Sequence, residues 1–407
     1  MRCRSCKAKV TLSLIDLGAC PPSNAYVDPC RRTREVTYPL RILVCESCWL
    51  VQVAEVPKNA CLFPDDYAYF SSYSTSWLEH ARRYVVETIP KLKLKNSSLV
   101  AEIASNDGYL LQYFLERDIP CYGIEPTRST RYAAQRRGID TIPEFFDLEL
   151  AKKLAKSGRQ ADLVIANNVL AHVPDIDNFL RGVEILLKPD GVATIEFPQL
   201  LNLVQENQFD TIYHEHYSYL SLVFLNEICQ RLGLNIFNVE KLKTHGGSLR
   251  LYLQRASTGN ILQSKSVERL LKQEEEAGMR TREFYSGMQD KAETAATALL
   301  DFLNCARDNG ARIGGYGAAA KANTLLNFAG IKADLLPYIV DQNPVKQGLL
   351  MPGSHIPIVE EQYLREQEPN YVLLLPWNLR DEIMETLSYI RGWGGRFVIA
   401  LPQLQIL

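Results

Sequence analysis

The sequence predicts an α/β chain: a doubly wound parallel sheet closed by an antiparallel hairpin, a small cysteine-rich segment before it, and a second, smaller sheet of the same kind after it. Three observations predict this. Strand-like and helix-like segments alternate strictly between residues 99 and 197, then two strands meet across Thr244-His245-Gly246-Gly247. Two Cys-x-x-Cys pairs fall within the first 48 residues. A second glycine turn, Gly314-Gly315-Tyr316-Gly317, opens another β/α alternation near the far end.

Length and composition set the limits. A chain of 407 residues is too long for one ordinary domain. A hydrophobic fraction of 46% with 23% charged residues suits well-filled cores. The net charge of -2 supplies no global basic field for nucleic acid or an anionic membrane, so neither is expected as a partner. The Met1-Arg2-Cys3-Arg4 start has no signal-like apolar core, and no later run has transmembrane length. A cytoplasmic enzyme is the expectation.

Residues 1–65 are rich in Pro, Cys and Arg. Cys3 and Cys6 form one pair, Cys45 and Cys48 the other. A two-residue gap lets both thiolates of a turn reach one ion, and four thiolates satisfy tetrahedral zinc. Such a site has no open position for water or substrate, so the zinc is expected to be structural. The alternative is four reduced thiols with coincident spacing.

From residue 99 the elements follow in order. Residues 99–104 read as a buried strand and 108–117 as a helix with Tyr109, Leu110, Phe114 and Leu115 on its apolar side. A second strand, 121–125, stops at Pro126. A basic helix, a short strand near Ile142 and a helix from about Leu148 come next, then a strand at 161–166. A helix over 177–187 is halted by Pro189-Asp190-Gly191, and 192–197 is the fifth strand. Alternation of this kind argues for a parallel sheet covered on both faces. A helix at 222–232 precedes the hairpin strands 235–242 and 248–254, and a hairpin ending a parallel sheet is the layout of the common methyltransferase fold. Residues 264–308 read as charged helix, with Glu274-Glu275-Glu276 on a solvated face. The last unit has strands at 312–314, 336–340, 371–375 and 397–401 and a helix at 318–326.

Three constellations carry chemistry. In Glu102-Ile103-Ala104-Ser105-Asn106-Asp107-Gly108, a glycine at a strand end lets backbone approach a ligand. Glu125, closing the second strand, offers two acceptors to ribose hydroxyls. With Glu102, Asn106, Gly108 and Asn167 it makes the candidate cofactor set. Tyr213-His214-Glu215-His216-Tyr217 follows the fifth strand, on the acceptor side. His214 and His216 share a face if extended, so a metal pair is the alternative to acid–base work there. In Gly314-Gly315-Tyr316-Gly317-Ala318-Ala319-Ala320-Lys321, a turn into a helix suits a diphosphate, with Asp341 at the end of the next strand. Alone, that third constellation reads as a dinucleotide site. The alternative function is therefore an NAD-dependent oxidoreductase, or a nonenzymatic nucleotide-sugar-binding protein.

These motifs, together with Asn167-Asn168-Val169-Leu170-Ala171-His172-Val173-Pro174 and the cysteine pairs, resemble one family over nearly the whole chain. It is the nucleotide-sugar C-3 C-methyltransferase family, which makes branched deoxysugars. Ser105-Asn106-Asp107 stands where methyltransferases usually carry repeated glycines, and the family shares that departure. The resemblance implies a zinc-binding N-terminal segment (1–65), a class I S-adenosylmethionine domain (66–263), and a helical connector with a Rossmann-like docking domain (264–407). It implies S-adenosylmethionine as methyl donor and a nucleotide-linked keto-sugar as acceptor. It assigns the base to His216, with Tyr213 and Glu215 orienting substrate and base, and puts His172 near the keto oxygen. A helix-capping role is the alternative for His172, and packing for Tyr213. Asn168, Tyr316, Gly317, Lys321 and Asp341 are the candidate substrate contacts. The tyrosines of residues 66–74 could reach the acceptor or pack the linker. The oligomeric state is left open by the sequence.

Overall fold

The computed structural model describes residues 1–30, 35–55 and 70–407. Among these residues the strands form three sheets. The first holds β1 (Leu12–Cys20), β2 (Tyr38–Val44) and β3 (Val51–Val53). It is completed by β9 (Ser218–Tyr219), which pairs antiparallel with β3. The cysteine-rich segment is thus joined edge to edge with the chain just beyond His216. The boundary expected at residue 65, and Tyr67 and Tyr69 beside it, lie outside the described residues.

The central sheet holds β4 (Val100–Ile103), β5 (Cys121–Ile124), β6 (Asp140–Ile142), β7 (Ala161–Asn167), β8 (Leu187–Pro198), β10 (Leu234–Leu242) and β11 (Ser248–Arg255). Their order is β10-β11-β8-β7-β4-β5-β6. The chain runs outward from β4 in both directions, with parallel pairing from β6 through to β8. Only β11 is antiparallel to its neighbours. This is the doubly wound sheet with a terminal hairpin expected above. The reversal at β4 opens a crevice outside the strands' carboxyl ends, the usual ligand position in such sheets. Helices Leu148–Lys156, Ile176–Leu186 and Leu222–Arg231 start at Asp147, Asp175 and Ser221, whose side chains accept backbone N–H groups of the first turn.

Four expectations need correction. The helix expected over 108–117 is regular only at Gln112–Leu115, because positive φ at Ala104, Asn106 and Gly108 makes the preceding residues a chain of turns. Pro189-Asp190-Gly191 does not precede the fifth strand but lies inside β8, where its pairing with β7 shifts register. In the last unit the strand expected at 336–340 is shorter, with only Ile339–Val340 (β13) in the sheet. Glu274 is not on a solvated face. It is fully buried, and its carboxylate accepts from Gln199 Nε2 at 3.0 Å and from the Val223 N–H at 2.9 Å, an amide at the start of helix Leu222–Arg231. Glu275 and Glu276 do face solvent.

The last sheet adds β12 (Ile313–Tyr316), β14 (Ile358–Val359), β15 (Tyr371–Leu374), β16 (Arg396–Ile399) and β17 (Gln405–Ile406), in the order β14-β13-β12-β15-β16-β17. One apolar core runs from the N-terminal sheet (Leu14, Ile42) through Leu200, Phe209 and Leu299 to Leu325 and Val398. The two ends of the chain therefore bury each other, and the last sheet is held facing the crevice of the central one.

Candidate active site

A cavity of about 960 Å³ lies where these parts meet. The central sheet contributes Asn106, Glu125, Asn167 and Asn168, the loop after β8 contributes Tyr213, Glu215 and His216, and the last unit contributes Ala319, Ala320 and Lys321.

At one end, Glu125 is set by its own loop. Its carboxylate accepts from the Asn106 N–H and the Thr127 N–H, each at 2.9 Å. Burial pushes this carboxyl's pKa up, and the Thr127 and Asn106 hydrogen bonds oppose that. Asn106 holds φ at 49°, which turns the chain sharply enough to aim its amide at Glu125. Glu102 and Gly108, expected as cofactor contacts, do not line the cavity. Glu102 is buried in β4, and burial raises its carboxyl well above the usual range. At Gly108 a Cβ would meet Ile139 Cδ1 at 2.2 Å, so this glycine serves packing against the neighbouring turn rather than approach to a ligand.

At the other end the tautomers follow from their partners. His216 Nδ1–H donates to the Thr211 carbonyl at 2.9 Å, which leaves Nε2 to accept from the Tyr213 hydroxyl at 2.9 Å. His172 Nδ1–H donates to the Glu215 carbonyl at 2.7 Å, and the two imidazoles stand 4.7 Å apart. Burial lowers the His172 pKa to about 4. Burial, and then neighbouring His172, lowers that of His216 well below its usual value. Both rings are neutral near pH 7 and both residues line the cavity, His216 with Nε2 as its unprotonated nitrogen. His214 turns away, donating to the Tyr38 carbonyl at 3.1 Å on the N-terminal sheet, so it forms no metal pair with His216. Glu215 accepts from Asn24 Nδ2 at 3.1 Å.

The last unit supplies cations. Lys321 Nζ donates to Asn378 Oδ1 at 2.6 Å and lies 4.9 Å from the centre of the Trp377 ring. Burial lowers its pKa, which Asp210 partly offsets. Lys346 also lines the cavity. Three expected contacts lie elsewhere. Tyr316 is packed in the core with Val340 and Leu374. At Gly317 (φ 91°) a Cβ would meet Pro376 Cγ at 2.3 Å. The Asp341 carboxylate is engaged by the Ala318 and Asn343 amides, each at 2.8 Å, and by Lys346 Nζ at 3.1 Å. Asp341 therefore braces the turn and, unlike Glu125, does not line the cavity.

Sequence reasoning missed several cavity residues. His245, read only as part of a turn, holds φ at 53° and meets Asn168 Nδ2 at 3.2 Å. His80, whose Nε2 lies 3.1 Å from both oxygens of buried Glu196, and Trp77, stacked on it, also line the cavity. A histidine beside paired glycines between two strands was the available signal for His245. Tyr73 is 52% exposed and does not line the cavity.

Away from the cavity, the sulfurs of Cys3, Cys6, Cys45 and Cys48 all lie within 4.8 Å of one another. Cys3–Cys48 and Cys6–Cys45 approach to 3.6 and 3.5 Å. Thiolates about 2.3 Å from a tetrahedral zinc stand about 3.8 Å apart, so the four donors fit that ion.

Three segments of the chain match known families. Residues 3–63 match a family described as a zinc binding domain, 77–239 a methyltransferase domain, and 243–402 a C-methyltransferase C-terminal domain. The C-methyltransferase NovU of Streptomyces niveus is 32% identical over 406 residues, covering 100% of this chain and 96% of its own. Among solved structures, magnesium protoporphyrin IX methyltransferase from Synechocystis shares 16% identity over 44% of this chain and 81% of its own, with a TM-score of 0.33. An S-adenosylmethionine-dependent methyltransferase from Clostridium acetobutylicum shares 9% over 45% and 92%, with a TM-score of 0.36. These structural likenesses are too low to carry an argument. The full-length relative and the three matched segments do carry one: the chain belongs to the C-methyltransferase family, and it is an S-adenosylmethionine-dependent enzyme with a zinc-binding N-terminal segment.

Proposed function

We propose that the acceptor is a nucleotide-linked 4-keto-6-deoxyhexose and that the methylated carbon is C3, next to the ketone. One observation carries this reading: a neutral imidazole, its Nε2 free of a proton and accepting from Tyr213, lines the same cavity as two lysines and the start of helix Ala320–Phe328. A base is needed where a C–H bond must break, and cations with helix amides are needed where a diphosphate must dock. A ketone acidifies the hydrogens on its neighbouring carbons, so a 4-ketone makes C3 ionisable.

In this reading Glu125 holds the donor's ribose, with Asn106 and Asn167 beside it. S-adenosylmethionine, when bound, supplies an electrophilic methyl. Lys321, Lys346 and the start of helix Ala320–Phe328 hold the acceptor's diphosphate. His216 Nε2 takes the C3 proton, the C–H electron pair passes into an enolate, and His172 stands near the enolate oxygen. Tyr213 and Glu215 fix the loop and the sugar, and Asn168 lies at the junction of the two ligands. The same turn could suit NAD, but Asp341, where the ribose acceptor of a dinucleotide would sit, does not line the cavity, whereas Glu125 does.

The substrate class is tested by incubating the enzyme and donor with a nucleotide-sugar pool and identifying by mass spectrometry which species gains one methylene. A keto-deoxysugar is expected; a gain on any other class overturns the assignment. The donor site is tested separately. Glu125→Ala should weaken binding of the demethylated product by about 2–3 kcal/mol, the scale of lost hydrogen bonds to a charged group. Unchanged affinity by calorimetry would move the donor elsewhere.

A further inference from the structure

The cysteine knuckle touches the catalytic loop through one side chain. Arg4 sits between Cys3 and Cys6, half-buried, with its guanidinium turned inward. It donates to the Tyr217 carbonyl, to the Val53 carbonyl at 2.8 Å, and to Ser218 Oγ at 3.4 Å. Tyr217 follows His216 directly. Its carbonyl also accepts the Val53 N–H at 3.1 Å, and its own N–H donates to the Ala171 carbonyl at 2.8 Å, one residue before His172. The His172 ring in turn holds the Glu215 carbonyl. The backbone carrying both cavity histidines is therefore tied, through Tyr217, to Arg4.

The knuckle end of that tie is rigid. The Arg4 N–H donates to Gln52 Oε1 at 3.0 Å, and Gln52 Nε2 reaches Cys3 Sγ at 3.4 Å. Ser5 donates to Asp177 Oδ1 at 3.0 Å, and Arg231 bridges Ser5 and Asp177 at 3.0 and 2.7 Å. The Cys3–Cys6 turn is thus clamped to the body of the central domain while Arg4 reaches the loop. The guanidinium that holds these three acceptors is presented by a turn between two of the four clustered thiols.

We propose that Arg4 is a positioning residue for the reaction, through which the zinc knuckle sets the placement of His216 and His172. The zinc then does more than keep the N-terminus folded: its turn fixes the Tyr217 carbonyl, and with it the imidazole next along the chain. Displacing a reacting group by about 1 Å can cost on the order of a hundredfold in rate. This inference rests on the reading of His216 as the base.

The test compares the parent with Arg4→Met, which keeps length but no donors, and Arg4→Lys, which offers an ammonium but no fork. Zinc per chain, affinity for the demethylated donor, KM for the acceptor and kcat are measured for each. Solvent deuterium exchange at the acceptor's α-carbon without donor, and the imidazole nitrogen signals of ¹⁵N-histidine-labelled protein, complete the set. For Arg4→Met we expect zinc, donor affinity and KM close to the parent. We expect kcat and exchange to fall together by about ten- to a hundredfold, with His216 signals displaced and Arg4→Lys intermediate. Parent-like exchange in zinc-loaded Arg4→Met overturns the proposal. So does a loss that merely tracks zinc content or unfolding, since Arg4 would then be only a staple. If Arg4→Met does not fold, Arg4→Lys decides on the same readouts. A His216→Asn control keeps the two readings apart: if it exchanges like the parent, the base assignment has failed, whereas slow exchange there with fast exchange in Arg4→Met fails this inference alone.

Discussion

His216→Asn should lower turnover by about two to four orders of magnitude, the range for loss of a positioned general base, while both ligands still bind. The structure makes this substitution a clean one. His216 donates through Nδ1–H to Thr211, and an asparagine amide can approximate that donor. What it lacks is Nε2, the nitrogen now facing the Tyr213 hydroxyl. Solvent deuterium exchange at the acceptor carbon, run without donor, isolates the proton step from methyl transfer. Exchange as fast as the parent's would shift the base assignment to His172. The pH dependence has a definite sign. The His216 pKa is lowered well below its usual value, chiefly by burial, so the neutral, proton-accepting form persists as pH falls through 6.5. The acid limb of kcat/KM attributable to this group should therefore lie well below pH 6.5. A limb centred at 6.5 would mean an ordinary, solvated histidine is the one titrating.

The central sheet was legible because each of its buried strands is a short apolar run with a turn or proline after it, and such signals are local. The Cys-x-x-Cys pairs were legible for the same reason. What stayed hidden depends on residues far apart in the chain. Nothing in Ser218-Tyr219 announces that it will pair with Val51–Gln52, 168 residues earlier at Val51↔Tyr219 and 166 at Gln52↔Ser218. Glu274 sits in a run of three glutamates whose local pattern is that of a surface, yet its partners are Gln199 and Val223. Gly108 and Gly317 were singled out as ligand contacts, but the sequence cannot say what a side chain there would strike. The answers are Ile139 and Pro376, both protein and not ligand. The site residues that line the cavity, from Asn106 to Lys321, come from motifs at strand ends. Those that do not line it, Glu102, Gly108, Tyr316, Gly317 and Asp341, belong to the same motifs but act as their frame. A motif marks a neighbourhood; which of its side chains face the cavity is decided by the packing behind it.

Cys45→Ser should remove most of the zinc and unfold the N-terminal sheet, because metal binding at a structural thiolate site is coupled directly to folding. Cys45 is fully buried, at the start of the turn that follows β2, and its sulfur lies 3.5 Å from that of Cys6. A serine there supplies a poor zinc ligand and leaves a hydroxyl in place of the thiolate. The consequence should reach beyond the segment itself. The N-terminal sheet shares its apolar core with Leu299, Leu325 and Val398 of the last unit, and β9 completes its edge. Loss of the knuckle exposes that core and frees the backbone after His216. A lowered melting temperature, loss of amide-exchange protection in β2 and β3, and loss of turnover should therefore appear together. A chelator strong enough to strip the parent should reproduce all three, and added zinc should reverse them. Full zinc content in a Cys3→Ser/Cys45→Ser double variant, by metal analysis, would sink the assignment, since the two remaining thiolates cannot complete a tetrahedral site without ligands from elsewhere.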